Sequence, residues 1–239
     1  VASKSLSVQD KQFSISYDIL NPSGNKDFIV LHGWGSNKEI MKNAFSPYLS
    51  DLRHIYIDLP GFGKSSNNHI LTTDDYVQII EEFLKLLNSD KFIIAGHSYG
   101  GKVATLLNPK NLVLLSSAGI LEKKSSSVKT KIFFAKLLNT LGLGKLTKAF
   151  RSKDVNTMSE NMYETFKNVV NEDFTSMFKE YKNNALVFWG ENDTATSLES
   201  GKKIASLMDN STFVSYDGDH YFFAYNAKDI TKRIENGIF

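Results

Sequence analysis

Short apolar runs recur along the chain, and between them apolar residues return every three or four positions. The runs at 6–8, 13–20, 28–31, 55–57, 92–95, 112–115, 186–189 and 213–216 have the length and β-branched or aromatic content of strands. The first two are separated by Gln9-Asp10-Lys11 and read as a hairpin. The 3.6-residue periodicity predicts helices over 38–49, 73–88, 100–107, 198–208 and 222–235. Thr73-Asp74-Asp75 ahead of one of these runs is a helix-start signal, and Asn108-Pro109 ends another early. Strand alternating with helix predicts an α/β fold: an eight-stranded, mostly parallel sheet flanked by helices.

One stretch breaks the alternation. Between residues 119 and 184 the pattern is helical throughout, with helices predicted over 128–141, 145–150, 159–170 and 174–181. This predicts a core of residues 1–119 and 185–239 with a helical lid, 120–184, inserted between strands six and seven. At 239 residues, one domain with an inserted subdomain is the natural size. The formal net charge of +2 gives no global electrostatic case for nucleic acid. The chain has no cysteine, which excludes a thiol nucleophile, a disulfide and a thiolate metal site. No apolar run approaches the roughly 18 residues of a spanning helix. Val1-Ala2-Ser3-Lys4 leads into alternation rather than an apolar signal core, so a cytoplasmic protein is expected.

The chemistry concentrates at Gly96-His97-Ser98-Tyr99-Gly100, directly after the run at 92–95. A strand that turns sharply into a helix presents its apex side chain clear of the sheet, and small neighbours let the backbone close up. A serine hydroxyl at the apex needs a base to take its proton, and the base needs a carboxylate to orient it. Of the five histidines, His32, His54, His69, His97 and His220, only His220 lies well downstream of Ser98. It follows the last strand. The loop after the preceding strand, Gly190-Glu191-Asn192-Asp193, supplies Asp193 as the acid, with Glu191, Asp217 and Asp219 as competitors. His97 is not expected to be the base, because adjacent side chains at such a turn diverge. His32 is expected to be structural.

Together these residues resemble the α/β-hydrolase superfamily over essentially the whole chain. Two further stretches carry the resemblance: His32-Gly33-Trp34-Gly35 after the third strand, and Asp58-Leu59-Pro60-Gly61-Phe62-Gly63-Lys64-Ser65 after the fourth. The resemblance implies an oxyanion hole built from the backbone N–H groups of Trp34 and Tyr99, and hydrolysis through an acyl-serine with Ser98, His220 and Asp193 as the triad. It extends to carboxylesterases of the pimeloyl-carrier-protein methyl ester type and to C–C bond hydrolases acting on 2-hydroxy-6-oxo-dienoates. From the latter the chain departs at Trp34-Gly35-Ser36-Asn37, where a Gly-Pro-Gly-like sequence is usual, and at Tyr221, where Trp is usual. A perhydrolase-like activity or a non-catalytic binding protein on the same fold are the other readings. Ser98 disfavours a haloalkane dehalogenase, whose nucleophile is Asp.

Two glycine-rich stretches imitate phosphate loops. In residues 96–103 the position after Lys102 is Val103, which has no hydroxyl for Mg²⁺. In Gly61-Phe62-Gly63-Lys64-Ser65 the first required glycine is replaced by Asp58; the stretch reads as architectural. No cofactor and no metal are expected. The basic amphipathic segment 129–138 reads as a lid that roofs an acyl pocket, rather than a membrane-surface helix; no stable membrane insertion is expected. The expected partner is a small-molecule acyl substrate, with the lid lysines suiting an anionic or carrier-bound one. Gly33, Arg151 and Tyr221 are expected substrate contacts, although Arg151 reads equally as solvated and the cluster Tyr221, Phe222, Phe223 and Tyr225 reads first as packing. Monomer and homodimer are both open.

Overall fold

The computed structural model describes residues 2–122 and 158–238. Among these, eight strands form one sheet: β1 (Ala2–Val8), β2 (Lys11–Leu20), β3 (Asp27–Leu31), β4 (Arg53–Ile57), β5 (Ile93–His97), β6 (Asn111–Leu115), β7 (Asn184–Gly190) and β8 (Ser211–Tyr216). Their spatial order is β1-β2-β4-β3-β5-β6-β7-β8. β1 and β2 form the antiparallel hairpin, turning at Gln9 and Asp10, both with positive φ as a two-residue hairpin turn requires. β2 pairs antiparallel with β4, and all later pairings are parallel.

β3, β5 and β6 are buried at every position, as strands covered on both faces must be. Their side chains alternate between two core layers. Phe28 and Val30 join the layer under α1 (Lys38–Phe45) and the C-terminal helix, while Ile29 and Leu31 join the layer under α2 (Thr73–Leu86) and α3 (Tyr99–Leu106). Between β6 and β7 come the insertion helices α4 (Glu160–Val169) and α5 (Thr175–Glu180). α6 (Leu198–Leu207) and α7 (Phe223–Ile238) follow the last two strands. The expected lid helices over 128–141 and 145–150, and the segment 129–138, lie outside the described residues.

One helix ends several residues short of expectation for a local reason. α1 stops at Phe45 rather than residue 49, because Pro47 has no N–H to continue the ladder. α2 begins at Thr73, as expected, capped by Thr72, whose hydroxyl accepts from Asp75 N while the Asp75 carboxylate accepts from Thr72 N. Among the described residues no helix is long and apolar enough to cross a membrane.

The strand order opens a crevice in the middle of the sheet. The chain leaves β3 for β4 on one side and then β5 on the other, so the order reverses at β3. Loops that leave β3 and β5 part in opposite directions there and separate at the carboxyl ends. His32-Gly33 and Ser98 occupy those two ends.

Candidate active site

Ser98 is the single residue between β5 and α3, at φ 52° and ψ −117°. A side chain in that region costs on the order of 1–3 kcal/mol, so the surroundings must enforce it. They do so through missing side chains. A Cβ at Gly96 would lie 2.4 Å from Gly100 O, and one at Gly100 would lie 2.6 Å from Leu31 O and His32 O. The elbow is thus pressed onto the end of β3. Ser98 N donates to Leu115 O (3.1 Å) and Ser98 O accepts from Ala118 N (3.0 Å), which fixes the apex to β6. Tyr99 N is the first N–H of α3. It has no acceptor within its helix and sits at the positive end of the helix dipole.

The loop after β7 holds Asp193 in a fixed rotamer. Asp193 Oδ1 accepts from Ala195 N (2.8 Å) and Thr196 N (3.0 Å), and Oδ2 accepts from Thr196 Oγ1 (3.0 Å) and His220 Nδ1 (2.7 Å). Thr196 is itself anchored: its carbonyl accepts from the indole of fully buried Trp189, and its hydroxyl reaches Ser116 O. Burial alone would raise the Asp193 pKa. The hydrogen bonds from His220 and Thr196 outweigh it and bring the value down to about 2. A carboxylate that stays charged keeps the His220 proton on Nδ1 and leaves Nε2 as the ring's base.

Two further histidines frame this pair, each neutral and in a defined tautomer. Leu59 N donates to His32 Nε2 (3.0 Å), so the proton sits on Nδ1, which donates to Gly33 O (2.7 Å). Burial lowers the His32 pKa to about 4. His32 therefore braces the loop that carries Gly33 and Trp34. Gly33 O also accepts from Ser36 N (3.2 Å), closing a turn around Gly35, whose φ of 73° suits glycine. His97 Nε2 lies 2.9 Å from His220 O, and a carbonyl only accepts, so Nε2 carries the proton. Burial first, and the neighbouring His220 second, pull the His97 pKa down to about 3.

The stretch after β4 holds the other side of the crevice. Asp58 accepts from Lys38 N (2.8 Å), Lys64 N (3.0 Å) and Lys38 Nζ (2.9 Å), with both Asp58 and Lys38 1 % exposed. Its position at the N-terminus of α1 explains why Gly63 follows: a Cβ there would lie 2.3 Å from the carboxylate. Asp58 to Ser65 is architectural, as the sequence implied.

A cavity of about 430 Å³ opens beside Ser98, lined by Trp34, Ile120 and, from the insertion, Phe166, Val169 and Val170. Trp34 packs against Phe62, Tyr99 and Phe166, so α4 closes over the loop after β3. Lys102, one turn along α3 from Ser98, ties the insertion down: it donates to Val169 O (2.7 Å) and pairs with Glu172.

The structure brings Ser98, Tyr99, Trp34 and Gly33 together at one crevice; a Cβ on Gly33 would lie 3.0 Å from that of Ser98. It joins Asp193 to His220. The rival carboxylates are engaged elsewhere: Glu191 with Ser215, Asp217 with Asn192, and Asp219 with Tyr221 N. Tyr221 is 40 % exposed and lies against the rings of His97 and His220, outside the cavity lining. Arg151 lies outside the described residues. His97, not expected to be the base, lies with its ring centroid 4.5 Å from that of His220. Turning the backbone at Ser98 sends neighbouring side chains to different faces, but the loop after β8 folds back over the one His97 occupies. Thr196 and Glu172 were also missed, and Lys102 was noticed only as the lysine of a failed phosphate loop.

A family model described as alpha/beta hydrolase fold matches residues 27–137. A serine hydrolase-like protein of Danio rerio is 30 % identical over 48 % of this chain and 38 % of its own length. A pimeloyl-[acyl-carrier protein] methyl ester esterase of Pseudoalteromonas atlantica is 31 % identical over 41 % of this chain and 39 % of its own. The chain thus spans about two fifths of the length of these relatives. A hydrolase of Pseudomonas aeruginosa superimposes with a TM-score of 0.76 at 19 % identity, covering 98 % of this chain and 97 % of that one. At 19 % identity this likeness shows the fold.

Proposed function

Given the α/β-hydrolase fold, we propose that this protein is a serine hydrolase that cleaves a small-to-medium carboxylic ester through an acyl-serine intermediate. One observation carries the reading: a charged, four-times hydrogen-bonded Asp193 holds His220 by Nδ1, and the His220 carbonyl is bonded to His97, the neighbour of a serine in the strained elbow conformation. His220 Nε2 takes the Ser98 proton as Oγ attacks the ester carbonyl. Asp193 stabilises the imidazolium that results. The Trp34 and Tyr99 N–H groups receive the oxyanion; losing one such donor costs about 3–4 kcal/mol of barrier. His220 then protonates the leaving alkoxide and activates the water that releases the acid. Residues 120–184 act as the lid, and the apolar side chains of α4 take the acyl chain.

The test is a panel of short-, medium- and long-chain p-nitrophenyl esters together with a 2-hydroxy-6-oxo-dienoate. The expected result is highest kcat/KM on short to medium acyl chains, in keeping with a cavity of about 430 Å³. Higher kcat/KM on the dienoate than on every ester would replace this reading with C–C bond hydrolysis.

A further inference from the structure

We propose that His97 is a positioning residue for the base: as a neutral Nε2–H donor to His220 O, it locks the loop carrying His220 to the elbow carrying Ser98. The proposal rests on the serine-hydrolase reading above. The bond joins residues 123 positions apart, and those two residues are the neighbour of the nucleophile and the base itself. Asp193 restrains only the ring of His220, through Nδ1. The loop ahead of His220 is held at Gly218 O by Asn192 N (2.9 Å), and the His220 carbonyl is held by the His97 ring. His97 supplies that restraint from β5, a strand buried at every position.

The ring is placed for this role alone. It is 1 % exposed, and it packs against His220, Tyr221 and Phe223 at centroid distances of 4.5, 5.1 and 4.8 Å. Its other nitrogen, Nδ1, is buried without a hydrogen-bond partner among the described residues, beside Gly33. A buried, unpaired polar atom is a cost that an aliphatic or phenyl side chain would avoid. The nitrogen that is paired addresses the base. Burial also keeps the ring neutral, so the donor persists across the working pH range without adding a second positive charge next to the imidazolium.

His97→Phe keeps an aromatic ring for the packing and removes the donor; His97→Gln keeps an N–H near the place of Nε2. The expected result is a ten- to hundredfold fall in kcat for H97F with KM changed less than threefold, and recovery of most of that loss in H97Q. H97F within twofold of wild type, or H97Q as slow as H97F with both folded, would overturn the proposal. Ring ¹⁵N chemical shifts on the wild-type protein give an arm that needs no variant. The neutral Nε2–H tautomer from pH 5 to 8 is expected, and an Nδ1–H tautomer would overturn the proposal by itself. If wild type showed neither ester hydrolysis nor capture by a fluorophosphonate, the serine-hydrolase reading would fall, and the ¹⁵N result would judge the His97–His220 bond separately.

Discussion

Asp193→Asn is the most informative substitution at the site, because the structure fixes which way the new amide must face. Oδ1 takes two backbone donors, Ala195 N and Thr196 N. Only the amide oxygen can accept them, so the NH₂ group is forced into the place of Oδ2, 2.7 Å from His220 Nδ1. An NH₂ group donates, so His220 must turn Nδ1 into an acceptor and move its proton to Nε2, the atom that should receive the Ser98 proton. Flipping the amide back would face both backbone N–H groups with a donor, at about 1–3 kcal/mol each. The productive arrangement is therefore disfavoured by about 2–6 kcal/mol, a population of roughly 3 × 10⁻² to 4 × 10⁻⁵. The same change in serine proteases costs about 10⁴ in kcat. The variant keeps the bonds of Oδ1, and Thr196 Oγ1 accepts from the new NH₂, so thermal stability should change by only a few degrees. Steady-state hydrolysis of a p-nitrophenyl ester, with the melting temperature measured alongside, makes the check. A folded D193N enzyme within tenfold of wild-type kcat would refute the tautomer argument.

Two other outcomes come from buried charge. Asp58→Ala strands the Lys38 ammonium, which is 1 % exposed; breaking such a pair costs about 3–5 kcal/mol, and Glu39 at 3.6 Å is too exposed to offset much of it. The melting temperature should fall by roughly 6–20 °C, and a fall under 3 °C would contradict the assigned role. Acidification should destabilise the fold well before the carboxylates titrate. His32 and His97 have folded pKa values of about 4 and 3, below their unfolded value near 6.5, so the unfolded state binds more protons between those limits. Their stabilisation is intact above about pH 6.5 and erodes as pH falls, at about 1.4 kcal/mol per pH unit for each ring, or about 4 kcal/mol for both by pH 5. Asp193, depressed to about 2, adds a loss only below about pH 3.8. Urea unfolding at pH 7 and pH 5 measures this, and equal stabilities would contradict the neutral, buried assignment.

The features legible in the sequence are those set by neighbours in sequence. The strand runs at 28–31 and 112–115 are buried on both faces, and continuous apolar composition is the direct signature of that state. The elbow was legible because its glycines are close neighbours of Ser98 and their absence of Cβ is what the turn needs. Asp193 and His220 could be placed by chain order and strand position. The role of His97 could not, because it depends on a carbonyl contributed 123 residues away by the loop after β8. Lys102 likewise looked like a failed phosphate-loop lysine; only the return of the insertion across α3 brings Val169 O and Glu172 to it. The end of α1 was misplaced because the amphipathic pattern runs on past Pro47, whereas the hydrogen-bond ladder cannot.

The central claim is that Ser98 Oγ is a nucleophile activated by His220. Intact-mass analysis after incubation with a fluorophosphonate tests it directly, with wild type beside Ser98→Ala. The account predicts one adduct per wild-type chain, mapped by peptide sequencing to Ser98, and none on the S98A protein together with loss of ester hydrolysis. An unlabelled wild type, an adduct on another residue, or an S98A protein that keeps its hydrolytic rate would contradict it.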